Sequence, residues 1–209
     1  MSSIAVLGSG IAGRTLAKGF QELGHTVTIG RRTSTPLDEW DGPVDTFAAA
    51  ADAAEIVVLA TKGSVATELV SSLAAELAGK IVLDATNPIA DTPPTDGVLS
   101  YFTTLEESLM ERLQGAAPDA HFIKAFNSVG AYRMVNPSFA GGVKPSMFIA
   151  GNDDAAKAEA AALIESLGWE VEDMGTAAAA RAIEPLCILW CIPGLRGGSW
   201  NHAFKVLHD

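Results

Sequence analysis

The sequence predicts an α/β fold with a doubly wound, mainly parallel sheet and a small C-terminal helical part. Two observations lead to this prediction. Short apolar runs alternate with helix-like segments along most of the chain, which is typical of parallel sheets. In addition, the first apolar run, Ile4–Leu7, leads directly into the glycine-rich turn Gly8–Gly13 and then into a helix-like segment. Strand, glycines and helix follow one another as in a Rossmann-type dinucleotide-binding unit.

The spacing of apolar residues predicts the individual elements. The strand-like runs are Ile4–Leu7, Val27–Ile29, Ile56–Ala60, Ile81–Asp84, Phe122–Ala125, Ser146–Ala150 and Trp169–Glu172. Helical spacing predicts a first helix that ends at Gly24 and further helices over Ser64–Ala78, Thr104–Gln114 and Ala155–Leu167. The segment Asp91–Ser100 is rich in Pro, Gly and polar residues, and we interpret it as either a lid or a simple connection.

Length and composition fit either one large domain or one domain with a small appendage. The chain has 209 residues, of which 48% are hydrophobic. We expect a dinucleotide-binding domain over residues 1–175 and a helical segment over 176–209. No apolar run approaches 18 residues and the chain enters a strand at once, so we expect no membrane span, no signal peptide and a cytoplasmic location.

Charge and the cysteine and histidine pattern exclude other classes. The net charge of −11 disfavours nucleic acid as a partner. The two cysteines, Cys187 and Cys191, lie in an apolar helix-like stretch and are expected to be buried thiols. Because the four histidines are scattered without ligand spacing, we predict no metal site.

The glycine-rich turn predicts a phosphate-binding loop. Gly8 allows the tight turn, Gly10 lets the backbone approach a pyrophosphate, and Gly13 lets the helix pack closely on the strand. The N-terminus of that helix offers unpaired N–H groups to the phosphates. The whole turn is therefore predicted to bind the cofactor: Gly8, Ser9, Gly10, Ile11, Ala12 and Gly13.

The end of the second strand predicts a preference for NADP over NAD. An NAD-binding chain normally carries an acid about 20 residues after the glycines, where it binds the ribose 2′-hydroxyl. Here that place is taken by Gly30, Arg31 and Arg32. With Thr28, the two guanidinium groups are predicted to bind the 2′-phosphate, and the alternative is that they are solvated arginines on a surface loop.

Three more turns follow predicted strands and are expected to meet at one sheet edge. In the first turn, Thr61 is a candidate ligand residue and Lys62 faces either phosphate or solvent. In the second, Asn87 before Pro88 either binds a ribose or carboxamide or caps the turn. In the third, Asn127 either belongs to the site or caps a helix.

Five segments resemble one known family. They are Gly8–Gly13, Thr28–Arg32, Asp84–Pro88, Lys124–Asn127 and Met147–Gly151. Together they are similar to the NADPH-dependent deazaflavin (coenzyme F420) oxidoreductases and their bacterial relatives, and the resemblance extends over nearly the whole chain. Similar domains also form the cytosolic NADPH-binding part of membrane metalloreductases.

The resemblance implies hydride transfer between the nicotinamide and a deazaflavin or flavin-like acceptor. The cleft is expected between the Rossmann domain and the C-terminal helical part. Because such chemistry needs orientation of two rings, no catalytic side chain is expected. The resemblance places Gly8–Ile11, Arg31 and Arg32 at the adenosine and pyrophosphate end, and Thr61 and Asn87 at the nicotinamide. The residues expected at the second ring are Ala125, Asn127, Pro193 and Leu195.

Two other functions remain open from the sequence. A small imine or hydroxyacid-type NADPH reductase has a similar glycine fingerprint, but fewer than about 60 residues follow the seventh predicted strand, which is short for its helical substrate domain. A non-catalytic NADP-binding regulatory module is the other alternative. We also predict a homodimer, because Ile183, Leu186, Cys187 and Trp190 share one apolar helix face.

Overall fold

The computed structural model describes residues 1–209 and contains eight strands in one sheet. The strands are β1 (Ser3–Leu7), β2 (Thr26–Arg31), β3 (Val44–Thr46), β4 (Ile56–Leu59), β5 (Ile81–Asp84), β6 (His121–Lys124), β7 (Ser146–Gly151) and β8 (Glu170–Asp173). Their spatial order is β3-β2-β1-β4-β5-β6-β7-β8, and the β6–β7 pair is antiparallel while all other pairs are parallel. The predicted Rossmann-type, mainly parallel sheet is confirmed.

Eight α-helices accompany the sheet. They are α1 (Ile11–Glu22), α2 (Phe47–Ala53), α3 (Gly63–Ser72), α4 (Ala74–Leu77), α5 (Leu109–Ala116), α6 (Asp154–Ser166), α7 (Ala180–Ile183) and α8 (Pro185–Gly197). Strands β4 and β5 are buried along their whole length, and β1 is buried from Ile4 onwards. Their buried side chains belong to two apolar clusters, which explains why these strands read as continuous apolar runs.

Several predicted boundaries differ from the structure for local reasons. The helix predicted from Thr104 begins at Leu109, because Ser108 accepts the N–H of Glu111 and the Glu111 carboxylate accepts the N–H of Ser108. The helix predicted over Ser64–Ala78 is divided into α3 and α4 at Leu73. Strand β3 and helix α2 were not predicted. A three-residue strand gives too short a pattern for recognition.

The C-terminal helices pack against the rest of the chain. Ile183, Cys187 and Trp190 are buried within the chain itself. The apolar face on which the dimer prediction rested is therefore largely covered, while Leu189 remains 55% exposed. The homodimer stays a prediction, and sedimentation at micromolar concentration tests it. The division of the chain at residue 175 also stays a prediction.

One stretch, Ala177–Gly197, is long and apolar enough to cross a membrane by length and composition alone. This corrects the expectation that no run approaches that length. Mostly buried core helices of soluble proteins pass the same test; here 33% of the most apolar 18-residue window is buried inside the structure. The stretch also contains Glu184, which lies between α7 and α8 and whose buried carboxylate contacts Lys124 on β6.

The Glu111–Arg181 ion pair joins α5 to α7 and predicts a loss of stability in acid. Arg181 donates two parallel hydrogen bonds to the Glu111 carboxylate, at 2.6 and 2.9 Å. With a further contribution from Ser108, these bonds lower the pKa of Glu111 from 4.5 to about 2. A carboxyl whose pKa is depressed by folding stabilises the protein above its unfolded pKa, and that stabilisation disappears as the pH falls from about 5 to about 2.

We therefore expect Glu111→Gln to be less stable than the parent at pH 7 and to differ little from it near pH 2. Thermal unfolding across this pH range measures the effect. Glu159→Gln, which changes an exposed glutamate outside any ion pair, is the control and should leave the pH profile unchanged. A Glu111→Gln profile parallel to that of the parent over the whole range would contradict the assignment.

Candidate functional site

The glycine-rich loop Gly8–Gly13 has the close contacts that a phosphate-binding loop requires. Gly8 has φ of +134°, and a Cβ there would lie 2.4 Å from the Ala60 carbonyl oxygen. A Cβ on Gly13 would lie 2.0 Å from the Gly8 carbonyl oxygen. By contrast, a Cβ on Gly10 would meet nothing within 4 Å. Gly8 and Gly13 are thus needed for packing, and Gly10 leaves open space for a ligand.

The N-terminus of α1 is left without a side-chain cap. Gly10 occupies the N-cap position and provides no side-chain hydrogen bond. In contrast, α2, α5 and α6 are capped by Thr46, Ser108 and Asp153. The first N–H groups of α1 therefore lack an intrahelical or side-chain partner, which is the arrangement that accepts a phosphate. Ser9, Ile11 and Ala12 lie in this turn and are partly or fully exposed.

The end of β2 places two of the three predicted phosphate ligands at the same sheet edge as the glycine-rich loop. Arg31 is half-buried and donates to the Thr35 carbonyl at 3.4 Å, and Arg32 is exposed. Thr28 differs from the prediction. It pairs with Ala5 inside the sheet, about 10 Å along the strand from Arg31, and the alternation of side chains puts the two on opposite faces.

A cavity of about 390 Å³ lies at the carboxyl ends of β4 and β5. Its lining residues are Thr61, Lys62, Gly63, Ser64, Ala85, Thr86, Asn87, Ile89 and Asp91. The two turns that build it touch each other, because a Cβ on Gly63 would lie 2.0 Å from the Asn87 carbonyl oxygen. Since Gly8 also packs against Ala60 and Thr61, the cavity adjoins the glycine-rich loop.

Asn87 holds this cavity together. Its amide nitrogen donates to the Asn127 carbonyl at 2.9 Å, and its amide oxygen accepts from the Tyr101 hydroxyl at 3.3 Å. The single hydrogen of this hydroxyl is shared with the Glu184 carbonyl, which is the nearer acceptor at 2.8 Å. Burial, followed by the neighbouring Cys187, raises the pKa of Tyr101, which keeps the phenol protonated. Asn87 therefore has a structural role in the wall of the cavity that it lines.

The expected residues of the second ring are not at the surface of this cavity. Ala125 is fully buried in the core, so its side chain does not line the cleft as predicted. Asn127 is 2% exposed, and its amide donates to the Ile183 carbonyl at 2.8 Å, which ties the β6 turn to α7. Pro88 is also buried. Pro193 and Leu195 lie in α8, and both are exposed.

Beneath the cavity lies a buried charge cluster that the sequence analysis did not identify. The Lys124 ammonium contacts Asp84 at 2.9 Å and Glu184 at 3.2 Å, and donates to the Thr86 carbonyl at 2.6 Å. None of the three charged side chains is more than 2% exposed. Burial alone would lower the pKa of Lys124, but the attraction of Asp84 and Glu184 outweighs it, so the pKa is raised.

The second carboxylate of this cluster is compensated by a helix. Glu184 accepts the N–H groups of Leu109 and Met110 at 2.9 and 3.0 Å, at the N-terminus of α5. The positive end of the helix dipole offsets part of its charge. The cluster therefore fixes the β5 turn, β6 and the junction of α7 and α8 relative to one another. In the structure, Asp84 and Lys124 are register partners on adjacent strands. The available sequence signal was a charged residue at the end of each of these two apolar runs.

A dinucleotide fits the residues present on two grounds. Gly10 and the uncapped α1 leave room and N–H groups for a pyrophosphate. In addition, the Thr61 hydroxyl in the cavity wall is buried and has no hydrogen-bond partner within the chain. A buried polar atom without a partner is uncommon in native structures, and a ligand in the cavity would satisfy it.

We expect Thr61→Val to separate binding from stability. The substitution keeps the side-chain shape and removes a buried hydroxyl that has no partner, so the free energy of unfolding should be unchanged or rise by about 1 kcal/mol. The affinity for NADPH should fall about two- to tenfold, the value of one ordinary hydrogen bond. Calorimetric titration measures it, with Thr67→Val on α3, outside the cavity lining, as the control. An unchanged affinity would remove Thr61 from the site.

Comparison with known proteins agrees with this geometry. The family model described as NADP oxidoreductase, coenzyme F420-dependent, matches residues 3–88. A solved structure from Arthrobacter sp. FB24, of a protein with the provisional name F420-dependent NADP-reductase, is 36% identical. The alignment covers 100% of this chain and 100% of that chain, with a TM-score of 0.90.

Two more distant proteins share parts of their length with the chain. Metalloreductase STEAP3 of Rattus norvegicus is 29% identical over 199 residues, which are 92% of this chain and 38% of that protein. The Streptomyces aurantiacus imine reductase is 16% identical with a TM-score of 0.66, and the match covers 92% of this chain and 62% of that one. At this identity the second similarity shows the fold alone.

Proposed function

Since the chain belongs to the coenzyme F420-dependent family of NADP oxidoreductases, we propose that it transfers a hydride between NADP(H) and a deazaflavin or flavin-like acceptor. The observation that carries the proposal is the cleft at the carboxyl edge of the sheet. There the phosphate-binding loop, the two arginines after β2 and a cavity of about 390 Å³ adjoin one another. Ligands of open α/β sheets bind at this edge.

The adenosine half of the cofactor is assigned to the loop and to the end of β2. The first N–H groups of α1 bind the pyrophosphate, with Gly10 giving the backbone its close approach. Arg31 and Arg32 bind the 2′-phosphate. No acidic residue stands at the end of β2 to bind a free 2′-hydroxyl instead, so the proposal is specific for NADP(H).

The nicotinamide half is assigned to the cavity. When bound there, NADPH supplies a hydride from carbon 4 of its nicotinamide ring. The chain orients the ring through the cavity wall, where Thr61 offers its unpartnered hydroxyl and Asn87 fixes the adjacent turn. Because two rings held face to face at about 3–3.5 Å need orientation rather than proton transfer, we assign no catalytic side chain.

Parallel assays of acceptors test this proposal. NADPH absorbance is followed with oxidised deazaflavin, FMN, FAD and quinones, with NADH as the matched control. We expect rapid oxidation of NADPH with the deazaflavin or a flavin and slow oxidation of NADH. Tight NADPH binding without oxidation by any of these acceptors would instead support a non-catalytic NADP-binding module.

Reduction of a metal acceptor is a second candidate. It is favoured by the similarity to Metalloreductase STEAP3, although the chain spans about 38% of the length of that relative. Adding ferric citrate to the same assay, with and without FAD, distinguishes the candidates. NADPH oxidation that requires iron in addition to a flavin would support the second candidate, and oxidation by deazaflavin alone would support the first.

A further inference from the structure

The charges around the cleft are unevenly distributed along the carboxyl edge of the sheet. Arg31 ends β2 and Arg32 follows it, while Lys62 follows β4 and is the N-cap residue of α3. The turn after β6, residues 125–130, lies farther along the same edge and contains no charged residue. The cations of the cleft therefore stand on the side from β2 to β4, which is the side assigned to the anionic dinucleotide.

The cavity itself carries one acid on the side away from the glycine-rich loop. Of the residues that line the cavity, Lys62 and Asp91 are charged. Lys62 directly follows Thr61, which packs against Gly8, whereas Asp91 belongs to the segment after β5. Asp91 is exposed and takes part in no ion pair. Its carboxylate therefore presents an unpaired negative charge to a molecule that approaches from this side.

A hairpin over residues 89–101 holds Asp91 at the cavity. Ile89 pairs with Tyr101 in an antiparallel bridge. The Ala90 N–H donates to the Ser100 carbonyl at 2.8 Å, directly before Asp91 in the chain. The position of the Asp91 backbone is therefore set by pairing at the base of the hairpin.

The tip of the same hairpin rests on the C-terminal end of α8. Asp96 and Gly97 have φ of +52° and +82°, which is typical of a type I′ turn. A Cβ on Gly97 would lie 2.4 Å from the Arg196 Cγ. The hairpin therefore places a cation beside the acid at its tip, while Asp91 at its base has no cation within ion-pair distance.

We propose that Asp91 is a specificity-determining residue that selects acceptors by charge. The favoured class is an uncharged flavin-like or deazaflavin-like ring, and the same ring with a phosphate or carboxylate tail is disfavoured. The inference rests on the proposed function, because the acceptor must meet the nicotinamide from the side that the dinucleotide leaves free. Repulsion between a carboxylate and a phosphate about 6–10 Å apart in a solvated cleft weakens binding about three- to tenfold.

Fluorescence titration of riboflavin and FMN against the protein loaded with NADP+ tests the proposal. The two compounds share one ring system and differ by a phosphate. At low ionic strength the parent protein is expected to bind riboflavin about three- to tenfold more tightly than FMN, and salt should reduce this ratio. Asp91→Asn should reduce it about two- to fourfold by tightening FMN binding alone, and Asp91→Lys should reduce it further.

Asp119→Asn is the matched control for the net charge of the chain. It removes the same charge from an exposed residue, but Asp119 precedes β6 and so lies at the opposite edge of the sheet. Its ratio of riboflavin to FMN affinity should equal that of the parent protein. The ratio of the two kcat/KM values for NADPH oxidation should follow the ratio of affinities in every variant, and NADPH titration verifies that each variant is folded.

The outcomes separate this inference from the proposed function. Equal affinity of the parent protein for riboflavin and FMN, or equal changes in Asp91→Asn and Asp119→Asn, would overturn the role of Asp91 and leave hydride transfer untouched. If riboflavin, FMN and deazariboflavin neither bind nor oxidise NADPH, the proposed function fails and this inference fails with it.

Discussion

Replacing Lys124 with methionine is expected to lower the free energy of unfolding by about 3–5 kcal/mol. The change leaves Asp84 and Glu184 buried without their cation, and the helix dipole of α5 compensates only part of the Glu184 charge. The Thr86 carbonyl also loses its donor. Urea unfolding of the variant measures the loss.

A lysine in a surface ion pair is the matched control for this experiment. Lys205→Met removes the partner of Glu170, and its side chain is 25% exposed. Such pairs contribute less than about 1 kcal/mol. Adding Glu184→Gln to Lys124→Met should recover part of the lost stability, because one unpaired charge is then removed. Similar losses of unfolding free energy for Lys124→Met and Lys205→Met would show that the buried cluster contributes no more to stability than a surface ion pair.

Removing either arginine after β2 is expected to lower NADPH affinity about ten- to a hundredfold while leaving NADH affinity unchanged. Arg31 and Arg32 stand where an NAD-binding chain has an acid, and a charge-assisted contact with the 2′-phosphate accounts for this range. Titrations of Arg31→Ala and Arg32→Ala with both cofactors measure the selectivity.

Arg112→Ala serves as the control, since Arg112 is bound to Glu107 on the α5 side of the chain. It should leave both affinities unchanged. Equal losses of NADPH and NADH affinity in the Arg31 and Arg32 variants would remove these residues from the phosphate site and with them the basis for cofactor preference.

The parts of the site that the sequence predicted depend on local backbone requirements. The Gly8–Gly13 loop could be predicted because Gly8 and Gly13 are required by close backbone contacts with Ala60 and with the loop itself, whereas Gly10 leaves open space. Arg31 could be placed because it is the last residue of a mainly apolar strand. Thr28 was misplaced because the alternation of faces within β2 was not applied to it.

The parts that the sequence did not predict depend on contacts between distant residues. Asp84, Lys124 and Glu184 are brought together only by the pairing of β5 with β6 and by the position of α8. The turn after β6 also depends on long-range contacts: Phe126 adopts φ of +57°, and Asn127 then bonds both to Asn87 in the cavity wall and to the Ile183 carbonyl of α7, while its amide oxygen has no partner within the chain.

The most direct measurement of the central claim follows a labelled hydride from NADPH to the acceptor. NADPH carrying deuterium at one face of nicotinamide carbon 4 is mixed with the protein and oxidised deazaflavin, and the reduced acceptor is analysed by mass spectrometry. Hydride bound to carbon 5 of the deazaflavin does not exchange with water. Direct transfer in an oriented cleft predicts that deuterium from one face, and not from the other, arrives at that carbon. Oxidation of NADPH by the deazaflavin with the label released to water, or no oxidation by either the deazaflavin or a flavin, would contradict it.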